Sequence, residues 1–144
     1  MDLSSIAKRP MRDKAFFDTN ILVYSLAQSD SKSEIADELL RKGGYISVQV
    51  LNELVSVARR KLAMDWPQIY QATWSIRALC RTPLPITLST HENALRMGIQ
   101  YGFSIYDSLI VASAIEARCT ILYSEDLQSG QAIEDRLTIH NPFK

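Results

Sequence analysis

Residues 16–25, Phe-Phe-Asp-Thr-Asn-Ile-Leu-Val-Tyr-Ser (FFDTNILVYS), set an acid, a hydroxyl and an amide between a short apolar run and a helical pattern. Ala15 to Asp18 reads as a strand and Thr19 to Leu26 as a short helix, so the chain opens with a β–α unit. An acid at that junction can cap the helix, or it can face a cleft as a ligand. The two uses are compatible, because backbone donors and a cleft-facing carboxylate meet in the turn that enters a helix. Thr19 reads as a turn residue.

The same alternation continues outward. Further strand candidates are Tyr45 to Val48, Ile86 to Leu88, Thr120 to Tyr123 and Leu137 to His140. Helical patterns run over Ser33 to Lys42, stopped by Gly43, and over Val50 to Leu62. Asp65 can cap a helix that starts near Pro67 and runs to about Leu79. Ser89 with Glu92 predicts a capping box for a helix ending before Gly102, and Ser104 with Asp107 the same device for the apolar helix that follows. This order predicts an α/β fold, a three-layer α/β/α sandwich around a mainly parallel sheet of about five strands. In such sheets the binding crevice forms beyond the carboxyl ends of the strands.

With 144 residues, 47% apolar and 22% charged, the chain is sized for one domain with a real core. No repeat, low-complexity tract or Pro/Gly-rich linker divides it. Lys plus Arg and Asp plus Glu both number 16, so no global field draws in nucleic acid or an anionic membrane. Locally the balance is uneven: residues 55–100 hold six basic and two acidic groups, residues 101–144 three and six. Cys80 and Cys119 match neither a disulfide framework nor a zinc site, which points to core positions and a reducing cytoplasm. Residues 1–13 lack the apolar stretch of a signal peptide and read as a leader, and LIVASAI is too short to span a bilayer.

Four acids stand out on this framework. Asp18 ends the first strand, Glu53 follows the second, and Asp126 follows the fourth in YSEDL. Asp107 opens the helix DSLIVASAI, and the sequence leaves open which end of the sheet it faces. Singly, each is accounted for as a cap, a turn residue or a solvated helix acid. Glu53 in VQVLNELVSV and Asp107 in FSIYDSLIVASAI, however, are set among apolar residues. Four carboxylates in one cleft would raise one another's pKa unless a cation neutralised them, and no basic residue adjoins any of them in sequence. All-oxygen ligands suit Mg²⁺ or Mn²⁺, and such an ion can activate water against a phosphodiester.

Other chemistries lack their motifs. No Gly-rich phosphate loop, dinucleotide fingerprint or nucleophile elbow is present. His91 and His140 are far apart and read as a helix-start and a strand residue. An aspartyl phosphotransferase would want an acid at position 20, where Asn20 stands.

DTNIL after an apolar strand, the Glu of NEL 35 positions after Asp18, YDSLIVASA with its Asp, and SEDL together resemble the PIN-domain ribonucleases, especially VapC-like toxins of toxin–antitoxin pairs. The likeness covers about residues 14–142, making 14–144 a single PIN-like domain. It implies that Asp18, Glu53, Asp107 and Asp126 are a catalytic quartet holding Mg²⁺ or Mn²⁺, with Asn20 and Ser124 orienting them. It also implies an RNA substrate, a homodimer and a small antitoxin partner. Glu125 adds a second acid beside Asp126, and the sequence leaves open which of the two faces the metal.

For substrate contact the basic cluster Arg59, Arg60 and Lys61 is nominated, against a solvated helix end as the alternative. Trp66, Trp74 and Tyr101 can stack bases, but core or dimer-interface roles are expected of them. The competing functional reading is a non-catalytic RNA- or protein-binding module.

Overall fold

The computed structural model describes residues 14–28 and 30–144; the leader expected at residues 1–13 lies outside them. Strand β1 (Ala15–Phe17) leads into helices α1 (Thr19–Ala27), α2 (Ser31–Lys42), α3 (Val48–Arg60), α4 (Trp66–Leu79), α5 (Leu88–Tyr101) and α6 (Ile105–Glu116). Strands β2 (Ile121–Tyr123), β3 (Ala132–Ile133) and β4 (Leu137–His140) close the chain. None of these helices is long and apolar enough to cross a membrane.

The sheet order is β1-β2-β4-β3. β1 pairs parallel with β2, and β2 with β4, while β3 runs antiparallel to β4. Phe16 and Phe17 point to opposite faces of β1 and both are fully buried, so helices cover the sheet on both sides there. At β4 only one face is covered, since Leu137 and Ile139 are buried while Thr138 and His140 are exposed. The buried set from β1, α1, α3, α6 and the β2–β4 pair forms one core. Cys119 is buried in it and Cys80 packs against it. Burial pushes their thiols up to about 12 and about 11, so both stay protonated and inert.

Two strand candidates are shorter than expected. Tyr45 to Val48 makes only isolated parallel bridges, Tyr45 with Phe16 and Ser47 with Leu84. Ser47 is extended and its hydroxyl accepts from the Val50 amide at 3.3 Å, so it starts α3 at Val48 instead of continuing the ladder. Ile86 to Leu88 forms no strand. Its extended contact falls at Leu84, which donates to Ile46 at 3.0 Å and accepts from Val48 at 2.9 Å. Pro83 and Pro85 flank Leu84 and supply no N–H, so that ladder cannot lengthen. The bridges nevertheless extend the parallel sheet past β1. Close approach there requires Gly44, where a Cβ would lie 2.6 Å from the Phe17 ring.

Caps decide the helix starts. Asp65 and Gln68 form the box that opens α4, with Pro67 in the first turn. At α5 the box is Thr87 with Thr90, not Ser89 with Glu92, which moves the start to Leu88. Asp30 caps α2 and moves its start to Ser31. Ser104 caps α6 by accepting from the Asp107 amide at 3.2 Å. β3 was not among the candidates; two residues are too few for any periodicity.

Candidate active site

The parallel pairing Phe17 with Tyr123 sets the ends of β1 and β2 side by side. Asp18 and Ser124 follow, and the Ser124 hydroxyl donates to Asp18 Oδ2 at 2.7 Å. Ser124 Oγ in turn accepts from the amides of Asp126 and Leu127, both at 3.2 Å. One buried hydroxyl therefore ties Asp18 to the loop that carries Asp126. Asp18 Oδ1 accepts from the Thr19 amide at 2.7 Å, so the carboxylate is both helix cap and site acid.

The other two residues of the Asp-Thr-Asn triplet fix two of the three remaining acids. Thr19 Oγ1 donates to Glu53 Oε2 at 3.1 Å, across to α3. Asn20 Nδ2 donates to Asp126 Oδ2 at 3.2 Å, and its Oδ1 accepts from the Glu125 amide at 3.3 Å. Thr19 is thus not the simple turn residue expected from sequence. It is the first residue of α1 and orients Glu53; a contact across 34 positions leaves no local signal.

Asp18, Glu53, Asp107 and Asp126 all line one cleft of about 300 Å³. This answers which end of the sheet Asp107 faces: the first turn of α6 lies at the carboxyl ends of β1 and β2. Asp18 is 4% exposed, and burial pushes its carboxyl up to about 7, helped by Asp107 and Asp126 and opposed by the Ser124 and Thr19 hydrogen bonds. Burial likewise raises Glu53, with Asp107 and Asp126 adding to it and the Thr19 bond opposing. Asp107 is raised by burial and by Asp126, against its Ser104 bond.

Glu125 takes the other direction. Tyr24 Oη donates to its Oε1 at 2.9 Å, and Lys32 Nζ lies 3.2 and 3.3 Å from its two oxygens. Lys32 also sits over the Tyr24 ring at 5.0 Å and the Phe143 ring at 5.7 Å. The two neighbouring acids have different partners: Asp126 couples to the other three acids, whereas Glu125 is paired with Lys32. Sequence reasoning missed both Lys32 and Tyr24.

The basic cluster splits. Lys61 lines the acid cleft, while Arg60 lines an adjoining groove of about 530 Å³ that shares Glu53 and Val57 with it. Arg59 turns away, donating to the Met64 carbonyl at 3.2 Å and covering the Trp66 ring at 4.9 Å. Trp66 and Trp74 are exposed, not core, because α4 buries only its Ile69 and Ile76 side. Tyr101 is half-buried, stacked on Phe103 with its Oη accepting from the Glu134 amide at 3.1 Å. His140 packs edge-on against Tyr123, and His91 is exposed on α5. A larger groove of about 600 Å³ beside β4 contains Asp135 but no converging acids. The acid cleft is where charge is concentrated.

Residues 15–131 match the family model described as PIN domain. The chain belongs to the PIN domain family. Solved structures share the fold at low identity. A toxin–antitoxin complex from Klebsiella pneumoniae aligns with a TM-score of 0.67 at 20% identity, over 90% of this chain and 98% of that one. A sarcin–ricin-loop-cleaving VapC toxin of Mycobacterium tuberculosis aligns at 0.61 and 19% identity, over 78% and 90%. A VapBC complex of Rickettsia felis, bound to promoter DNA, aligns at 0.63 and 23% identity, over 88% and 97%. No curated protein matches the sequence significantly.

The donor set of this PIN domain fits a hard divalent cation. It offers carboxylate oxygens alone, it is destabilised by its own burial and repulsion, and no cation pairs with its four acids among the described residues. Among those residues no three acid, His or Cys side chains are close enough to form a finished metal cage.

Proposed function

We propose that this PIN domain is a Mg²⁺- or Mn²⁺-dependent endoribonuclease, the toxin of a toxin–antitoxin pair. One observation carries the reading: Asp18, Glu53, Asp107 and Asp126 converge on one cleft, where their burial and mutual repulsion are offset by no ion pair among the described residues and a bound divalent cation would offset both. When bound, such an ion supplies Lewis acidity and an activated water for phosphodiester hydrolysis. The protein's part is positioning. Ser124 and Thr19 fix both oxygens of Asp18, Thr19 also fixes Glu53, and Asn20 fixes Asp126. Lys61, on the same cleft, is suited to meet a backbone phosphate.

The likeness to toxins of toxin–antitoxin complexes supports an antitoxin partner and RNA as the polymer. Exposed Leu88, Leu95 and Ile99 on α5 give an apolar ridge suited to a homodimer contact. A cytoplasmic setting agrees with two unpaired cysteines. The test is cleavage of single-stranded RNA by purified protein with Mg²⁺ or Mn²⁺, abolished by chelator and restored by metal.

The absence of a finished cage among the described residues favours a second reading, a domain that binds RNA or protein without turnover. It predicts binding indifferent to chelator and to acid-to-amide substitution.

A further inference from the structure

Helix α4 carries three large aromatic side chains at i, i+4 and i+8, on one side of the helix: Trp66, Tyr70 and Trp74 are 59%, 66% and 51% exposed. Arginines are interleaved with them. The Arg59 guanidinium lies 4.9 Å from the Trp66 ring centre and that of Arg77 lies 4.5 Å from Trp74, while Tyr70 meets Trp74 edge-on at 6.4 Å. Among the described residues neither guanidinium is paired with a carboxylate.

This face connects to the acid cleft around α3. Glu53, Val57 and Lys61 look into the cleft, and Glu53 and Val57 also line the groove that holds Ser56 and Arg60. Arg59 follows on the far side of that exposed strip and covers Trp66. A strand leaving the cleft over α3 would meet Lys61, Arg60 and Arg59 in turn, then the rings of α4.

We propose that the Trp66–Tyr70–Trp74 face, with Arg59, Arg60 and Arg77, is a stacking track for the bases of a single-stranded RNA whose scissile region lies in the acid cleft. The polymer's identity rests on the nuclease reading above. Exposed rings offer bases a π-face with little sequence preference, and the guanidinium groups offer the backbone a positive lining. An apolar protein partner fits this face less well, because it would bury Arg59 and Arg77 without a counter-charge. A polyanion neutralises them.

Trp66 and Trp74 are the only 2 tryptophans among the 144 residues, so intrinsic tryptophan fluorescence reports this face directly. The probe is an oligouridylate of about 12 nucleotides, titrated in excess chelator so that no cleavage occurs. Saturable quenching that weakens with salt is expected, as is affinity about tenfold lower in Trp74→Ala and in Arg77→Glu. Arg77 is exposed and its charge reversal keeps both tryptophans, so unchanged circular dichroism separates a loss in it from a folding defect. Absence of quenching in protein that cleaves RNA with Mg²⁺ overturns the track and leaves the nuclease reading intact. Quenching in protein that never cleaves removes the nuclease reading and overturns the link of the track to a scissile region in the cleft, leaving a base-stacking face alone. A fluorescence change that follows protein concentration alone, or that needs an added partner protein, overturns the track in favour of a protein interface.

Discussion

Two walls of the same cleft treat their acids in opposite ways. On one, Glu125 is held by Lys32 and Tyr24, and the ammonium is itself seated on the Tyr24 and Phe143 rings. On the other, Asp18, Glu53, Asp107 and Asp126 receive hydrogen bonds from Ser124, Thr19 and Asn20 but no ammonium or guanidinium among the described residues. Glu125 and Asp126 are sequence neighbours, so proximity along the chain is not what separates them. The first wall is a finished ion pair. The second is unfinished, and the missing charge is what a divalent ion would bring.

If that contrast is functional, its largest consequence lies in the unfinished wall. Asp18→Asn or Asp107→Asn is expected to cut metal-dependent RNA cleavage at least about a thousandfold, since several kcal/mol of charge stabilisation are at stake. Circular dichroism should show a folded protein. Glu125→Gln should retain most of the activity, and a comparable loss there would erase the distinction between the walls.

The next consequence is a stability that depends on pH in metal-free protein. Asp18 rises from 3.8 to about 7 on folding, so between those values the native state keeps a proton that the unfolded chain has released. Stability therefore falls as pH climbs from about 4 to about 7, by at most about 4 kcal/mol for this one group. Melting in chelator should be higher at pH 5 than at pH 8, and Mg²⁺ should recover more at pH 8. A melting temperature that rises with pH in chelator would break the comparison.

Ser124→Ala tests what holds the unfinished wall in place. It removes a donor to Asp18 Oδ2 and an acceptor for the Asp126 and Leu127 amides. A destabilisation of about 1–3 kcal/mol is expected, with metal affinity or activity down about tenfold to a hundredfold. Calorimetric Mn²⁺ titration separates the two effects.

The smallest change belongs to the finished wall. Lys32→Met frees Glu125 at a largely solvated pair, so its cost in stability is expected to be small. Its sharper readout is the cleft's charge: Mn²⁺ should bind a few-fold more tightly, and adding Glu125→Gln should cancel the gain. Equal affinity in all three proteins would show that Glu125 is electrostatically remote from the quartet.

Much of this was legible in the sequence because its signals are local. Apolar runs marked β1, β2 and β4 and the helices between them, Asp65 announced α4, and Ser104 announced α6. The acids could be picked out because Glu53 and Asp107 sit in apolar surroundings and Asp18 and Asp126 follow strands. Where local signals competed, sequence reading slipped: Thr87 outranked Ser89 as a cap, and two prolines stopped the ladder at Leu84. Of the core and interface roles expected of Trp66 and Trp74, the core role is excluded, because both lie on a face that α4 leaves uncovered.

By itself, then, the sequence determined where the helices and strands β1, β2 and β4 lie and which carboxylates are available, because caps, turns and periodicity act over a few neighbouring residues. Only the tertiary structure decided that Thr19 reaches Glu53, that Ser124 reaches Asp18 and that Lys32 takes Glu125 out of the acid group. Those contacts join residues 34, 106 and 93 positions apart. Parallel pairing of β1 with β2 and the packing of α3 against α1 bring them together, and hydrogen bonds and ion pairs form only at such short range.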